Sequence, residues 1–174
     1  MNSRIVRSIA LVVVGVAVAG ASAIPPLARA NESRDRVAPP VLSAYMAKVK
    51  PEAVNANLYA HQAVSAIRHL NYPKIGQAGE KLILTAARLE KIRAPAGLTE
   101  PHSSLVRGVR IQGRALTREV ADHKAGVDPI RAANKAIAAF DTAQTLLEHW
   151  REEVVAECRQ AGISVPLWVK RVGT

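Results

Sequence analysis

Apolar residues are arranged in two ways along this chain: as a periodic stripe from Leu42 onward, and as one unbroken run before it. In the periodic part, Leu42, Met46, Val49, Ala53, Ala56, Ala60, Ala63, Ile67 and Leu70 alternate four and three residues apart, which puts them all on one side of a helix. Pro51 falls inside this series without changing its phase, so the pattern predicts one kinked helix rather than two unrelated ones. A second predicted helix runs from near Pro73 to about Arg93, with Ile75, Gly79, Leu82, Ala86 and Leu89 inward, and ends at Ala94-Pro95-Ala96-Gly97. Thr99 is the expected cap of a third, whose stripe is Leu105, Val109, Gln112, Leu116 and Val120 and whose end lies between His123 and Gly126. Asp128-Pro129 opens a fourth carrying Ile130, Ala133, Ile137, Phe140, Gln144, Leu147, Arg151, Val154, Cys158 and Ala161 inward; Gly162 and Pro166 stop it.

Four amphipathic helices joined by short loops must alternate in direction, so the expected fold is an all-α, up-down-up-down four-helix bundle. The first and fourth helices are long and the other two shorter. Their projecting ends, Leu42 to Lys50 and Arg151 to Ala161, then need a cover for Leu42, Met46, Val49, Val154 and Cys158. Two covers are available: the C-terminal tail with Ile163, Val165, Leu167, Trp168 and Val169, or a second surface, which would make the chain a homodimer or bind another partner.

The unbroken run precedes all of this. Arg4 and Arg7 lead into an almost wholly apolar stretch over residues 8–20, followed by Ala21-Ser22-Ala23, the layout of a secretory signal peptide over residues 1–23. A second small triplet, Ala28-Arg29-Ala30, offers an alternative cut after residue 30. Left uncut, the segment becomes an N-terminal membrane anchor, the one membrane contact expected, although its apolar run of about 16 residues falls short of the ~20 that span a bilayer core. The expected location is therefore extracytoplasmic: periplasm, cell envelope or extracellular space. Residues 24–40, with Pro25, Pro26, Pro39 and Pro40, read as a linker; 41–162 are the bundle and 163–174 the tail.

Composition sharpens this picture in two places. Only 3% of residues are aromatic, which disfavours a sheet, and the formal net charge is +10, which makes an anionic partner the expected one. The single cysteine, Cys158, excludes an intramolecular disulfide, so the fold must stand on packing.

The sharpest charged feature is on the third helix. Arg107, Arg110, Arg114 and Arg118 fall within about 80° of one another at 100° per residue, opposite Leu105, Val109 and Leu116. Guanidinium groups grip phosphate and carboxylate oxygens in a fork, so this stripe, together with Trp168 in the tail, is the candidate binding surface for an anionic envelope component or a protein. A solvated face paired with neighbouring acids is the plainer alternative. Nucleic acid is not an expected partner, because recognition spacings and stacking aromatics are both missing.

Candidate chemistry is sparse elsewhere. No His-x-x-x-His or Glu-x-x-His pair occurs, and His102 and His123 sit at opposite ends of one helix, so neither a metal nor a cofactor is expected. Met46 and Cys158 come together under antiparallel packing, but two ligands are too few for a soft-metal site. No nucleophile motif or phosphate-cradling glycine loop is present. Gly76, Gly79, Gly108 and Gly113 lie in helix interiors, where each costs about 1 kcal/mol relative to alanine, and so mark either close helix contact or local looseness. The expected function is that of an exported, non-enzymatic binding or structural protein of the cell envelope; the alternative is a carrier holding a small ligand or cofactor between its helices.

Overall fold

The computed structural model describes residues 37–173. The expected signal segment and residues 24–36 of the expected linker lie outside the described residues. The described chain is all-helical, with no strand among the described residues: α1 (Pro39–Arg68), α2 (Tyr72–Glu90), α3 (Thr99–Lys124), α4 (Pro129–Gln160) and the short α5 (Leu167–Lys170), with a 3-10 turn at Ala96–Leu98 before α3.

Helix boundaries follow local chemistry. Pro39 and Pro40, expected in the linker, are the first turn of α1, where a fixed φ is already helical and the missing N–H has no partner to lose. Pro51 is carried within the same unbroken helix. Asn71 caps α2 by accepting the Lys74 amide at 3.2 Å, and Asp128 caps α4 by accepting the Arg131 amide at 2.9 Å. Thr99 is the first residue of α3 rather than its cap: Leu98 holds that position, and the Thr99 hydroxyl donates back to the Pro95 carbonyl at 3.2 Å. Gly162, at φ +67°, ends α4 in the left-handed conformation that glycine adopts most readily.

The helices pack in chain order: α1 along α2, α2 along α3, α3 along α4. By contrast α1 and α4 meet directly at only a few points, and α5 touches both. The chain therefore leaves the seam between its first and last long helices open, and its own C-terminal tail enters it. After Gly162 the tail turns back, with the Ile163 amide on the Cys158 carbonyl at 2.8 Å. Val169 becomes fully buried, Val172 is buried, and Trp168 lies 6.1 Å from Trp150 between ring centres. Beneath this cover Leu42, Val49, Val154 and Cys158 have no exposed surface. Of the two covers available to the projecting helix ends, the tail is the one in place.

At the α2–α3 crossing the backbones themselves touch. A Cβ on Gly79 would stand 2.9 Å from the Gly113 carbonyl oxygen, and one on Gly113 would stand 2.8 Å from that of Gly79. These two glycines mark close helix contact, not looseness.

The inward face of α4 is rotated slightly from the expected stripe. Trp150 is fully buried where Arg151 was expected, and Ile130 is exposed. Ala143, Leu147, Trp150, Val154 and Cys158 form the actual seam, spaced three or four residues apart.

Candidate functional site

The four arginines of the predicted stripe remain on the outward side of α3, but they differ in state. Arg107 and Arg114 are exposed. Arg110 pairs with Glu90 of α2 at 2.8 Å, and Arg118 lies 4.0 Å from Asp122, which is also 4.0 Å from Lys135 of α4. Arg107 contributes to holding Glu100 below the usual carboxylate range, although the main cause is the hydrogen bond from His149, at 2.6 Å. The stripe thus carries acids at its edges, on α2 and at both ends of α3. Exposed pairs of this kind contribute little to stability, about 0–1 kcal/mol each.

Trp168, the other predicted contact residue, is half-buried against Trp150 and forms part of the tail's own packing. Alongside it Arg151 Nη1 donates to the Val172 carbonyl at 3.1 Å, and the Gln144 amide donates to the Gly173 carbonyl. A small cavity of about 60 Å³ lies where the tail ends, bounded by α1, α3 and α4 near Ala56, Ala60, Gln112 and Leu147.

A buried chain of hydrogen bonds in the interior was not anticipated from the sequence. Trp150 Nε1 donates to Tyr45 Oη at 3.0 Å; Tyr45 Oη lies 3.0 Å from His102 Nδ1; His102 Nε2 lies 3.0 Å from the Leu89 carbonyl. Directions follow from donor and acceptor capacity alone. The Leu89 carbonyl only accepts, so Nε2 carries the proton and Nδ1 accepts from the phenol, whose oxygen accepts from the indole. The chain ties α4, α1, α3 and the end of α2 together through buried groups, and no buried side-chain polar atom lacks a partner among the described residues.

Protonating His102 would set two donors on Nδ1 and Oη against each other. Burial lowers the His102 pKa, against the opposing effect of the Leu89 carbonyl, while burial pushes the Tyr45 phenol up to about 12 despite the Trp150 hydrogen bond. Neither group is placed to exchange protons with a substrate: His102 is 7% and Tyr45 3% exposed. The signal that could have found them was spacing. Tyr45 lies three residues after Leu42 and four before Val49, and Trp150 three after Leu147 and four before Val154, so both lie on the inward faces.

The remaining chemistry-bearing residues are dispersed. Among the described residues no group of three His, Cys, Asp or Glu side chains could hold a metal ion. Cys158 donates to the Met46 thioether at 3.7 Å, the neighbour expected from sequence, and burial raises its pKa, which keeps the thiol protonated. His123 stacks on Tyr72 at 3.6 Å. Comparison with protein families, with curated proteins and with solved structures finds no match to this chain.

Proposed function

We propose that the protein is an exported, non-enzymatic bundle whose four long helices run up, down, up and down, and that it binds an anionic component of the cell envelope through the outer face of α3. The alternating topology rests on the short connections at 69–71, 91–98 and 125–128 between helices that pack side by side. Export rests on the character of residues 1–23, and no helix among the described residues is long and apolar enough to cross a membrane.

The observation that carries the binding reading is the exposure of Arg107 and Arg114 in a stripe whose other two members, Arg110 and Arg118, lie against acids at its edges. Two exposed guanidinium groups two helical turns, about 10 Å, apart offer forks to separate phosphates or carboxylates of one anionic partner, and the excess of basic over acidic residues draws such partners in. A ligand carried between the helices finds less support, because the cavity there, about 60 Å³, is well under the ~300 Å³ at which small-molecule sites begin.

The test is co-sedimentation of the mature protein with phosphatidylglycerol vesicles and with polyphosphate, at low and high salt. Binding that falls with salt and drops at least tenfold in Arg107→Glu/Arg114→Glu supports the reading. Undiminished binding by the double variant removes the stripe from the function.

A further inference from the structure

A second surface, far better shaped as a receptacle than the stripe, lies at the start of α1. An open groove of about 470 Å³ runs between the first turns of α1 and the α2–α3 connection, well within the size range of small-molecule sites. Pro40, Val41, Ala44 and Pro95 make an apolar lining, with Val41 half exposed to solvent, and the Tyr45 ring closes the back. Lys48 on α1 and Arg93 on the connection are its charged members, and no acidic side chain lines it among the described residues. No ion pair among the described residues engages either cation.

We propose that this groove binds a long-chain carboxylate, one anionic headgroup held between Lys48 and Arg93 with its alkyl chain laid over the proline, valine and alanine surface. The chemistry of the lining selects this occupant over an acidic peptide. A peptide would press its amide N–H groups onto a surface with no free acceptor side chain to receive them, since Lys48 and Arg93 only donate and the Tyr45 hydroxyl is already engaged by His102 and Trp150. An alkyl chain has no such groups to satisfy, and burying it is favourable in proportion to its length. Two cations supplied by separate elements give one headgroup a two-sided contact, Arg93 as a fork and Lys48 as a point charge.

The site is separate from the α3 stripe and stands or falls without it. Isothermal titration of the full chain with dodecanoate below its micelle concentration, octanoate, acetate and dodecyl maltoside reads the proposal directly. Dodecanoate is expected to saturate at one per chain and to bind at least tenfold more tightly than octanoate, since each buried methylene multiplies affinity by about two to four. Acetate and dodecyl maltoside are expected to bind at least tenfold more weakly than dodecanoate. Lys48→Glu/Arg93→Glu, at two exposed positions with a helical spectrum as the check on folding, is expected to lose dodecanoate by at least tenfold, whereas Arg107→Glu/Arg114→Glu keeps it. Equal binding by the Lys48→Glu/Arg93→Glu variant, equal binding of the neutral maltoside, no saturable binding of dodecanoate, or a hexaglutamate peptide binding more tightly than dodecanoate would each overturn it.

Discussion

The indole N–H of Trp150 on α4 donates to the phenol oxygen of Tyr45 on α1 at 3.0 Å, bridging two helices that meet directly at only a few points. Because the same phenol donates to His102, its removal strands two buried partners at once. Tyr45→Phe keeps the ring and deletes only the oxygen, and is expected to destabilise the fold by about 2–4 kcal/mol, measured as a lowered urea midpoint. A loss under about 0.5 kcal/mol would mean that water replaces the phenol and that the chain of hydrogen bonds is not structural.

The same network sets an acid limit. The His102 pKa is depressed from its ordinary 6.5, so below pH 6.5 the unfolded chain binds the proton first and stability falls as pH drops from there toward the folded-state value. His102→Gln is expected to flatten the dependence of the urea midpoint on pH between 6.5 and 5. An unchanged slope would place the acid sensitivity elsewhere.

Glu119, half-buried on α3, works in the opposite sense. Burial raises its pKa from 4.5, so its contribution is most favourable below pH 4.5 and is lost as pH rises through the folded-state value. Glu119→Gln is expected to raise the thermal midpoint at pH 7.5 and to leave it nearly unchanged at pH 4. Destabilisation at pH 7.5 would show instead that the carboxylate is ionised and held by a partner.

Glycines in α2 and α3 separate cleanly by what surrounds them. A Cβ at Gly76 would meet only the Val120 methyls, at 3.7 and 4.0 Å, so Gly76→Ala is expected to stabilise by about 0.5–1 kcal/mol. At Gly113 the new Cβ would lie 2.8 Å from the Gly79 carbonyl oxygen and 2.9 Å from the Ile83 amide nitrogen, both backbone atoms that cannot swing aside. Gly113→Ala is expected to destabilise by about 1–3 kcal/mol despite the better helix propensity. Chemical denaturation of the pair, run side by side, decides it; equal effects would deny the close crossing.

Removal of the tail tests the cover over the open seam. A chain ending at Gly162 loses the buried Val169 and Val172 and uncovers the α1 and α4 faces. Burial of each valine is worth about 1.5–3 kcal/mol, so truncation is expected to cost several kcal/mol and to increase binding of a hydrophobic dye. An undisturbed melting curve would mean that α1 and α4 close on each other without it.

The order of helices was legible in the chain because amphipathic spacing is a local property: Asp128-Pro129 marks a start and Gly162 a stop whatever lies around them. Cys158 beside Met46 was legible too, since both fall on the inward stripes near the ends of the two long helices. The stripe of Arg107, Arg110, Arg114 and Arg118 could be read from angles, but not the pairing of Arg110, because Glu90 belongs to another helix. Tyr45, His102 and Trp150 are up to 105 residues apart in sequence, and their hydrogen bonds depend on how three helices are rotated about their axes. The groove beside Lys48 and Arg93 likewise exists only where α1 meets the α2–α3 connection. Periodicity and turn chemistry act over a few residues, so the sequence alone determined the helices and, to within a rotation such as that of α4, their inward sides. Rotation, closeness of approach and the route of the tail are set by packing between distant segments, and only the tertiary structure decided them.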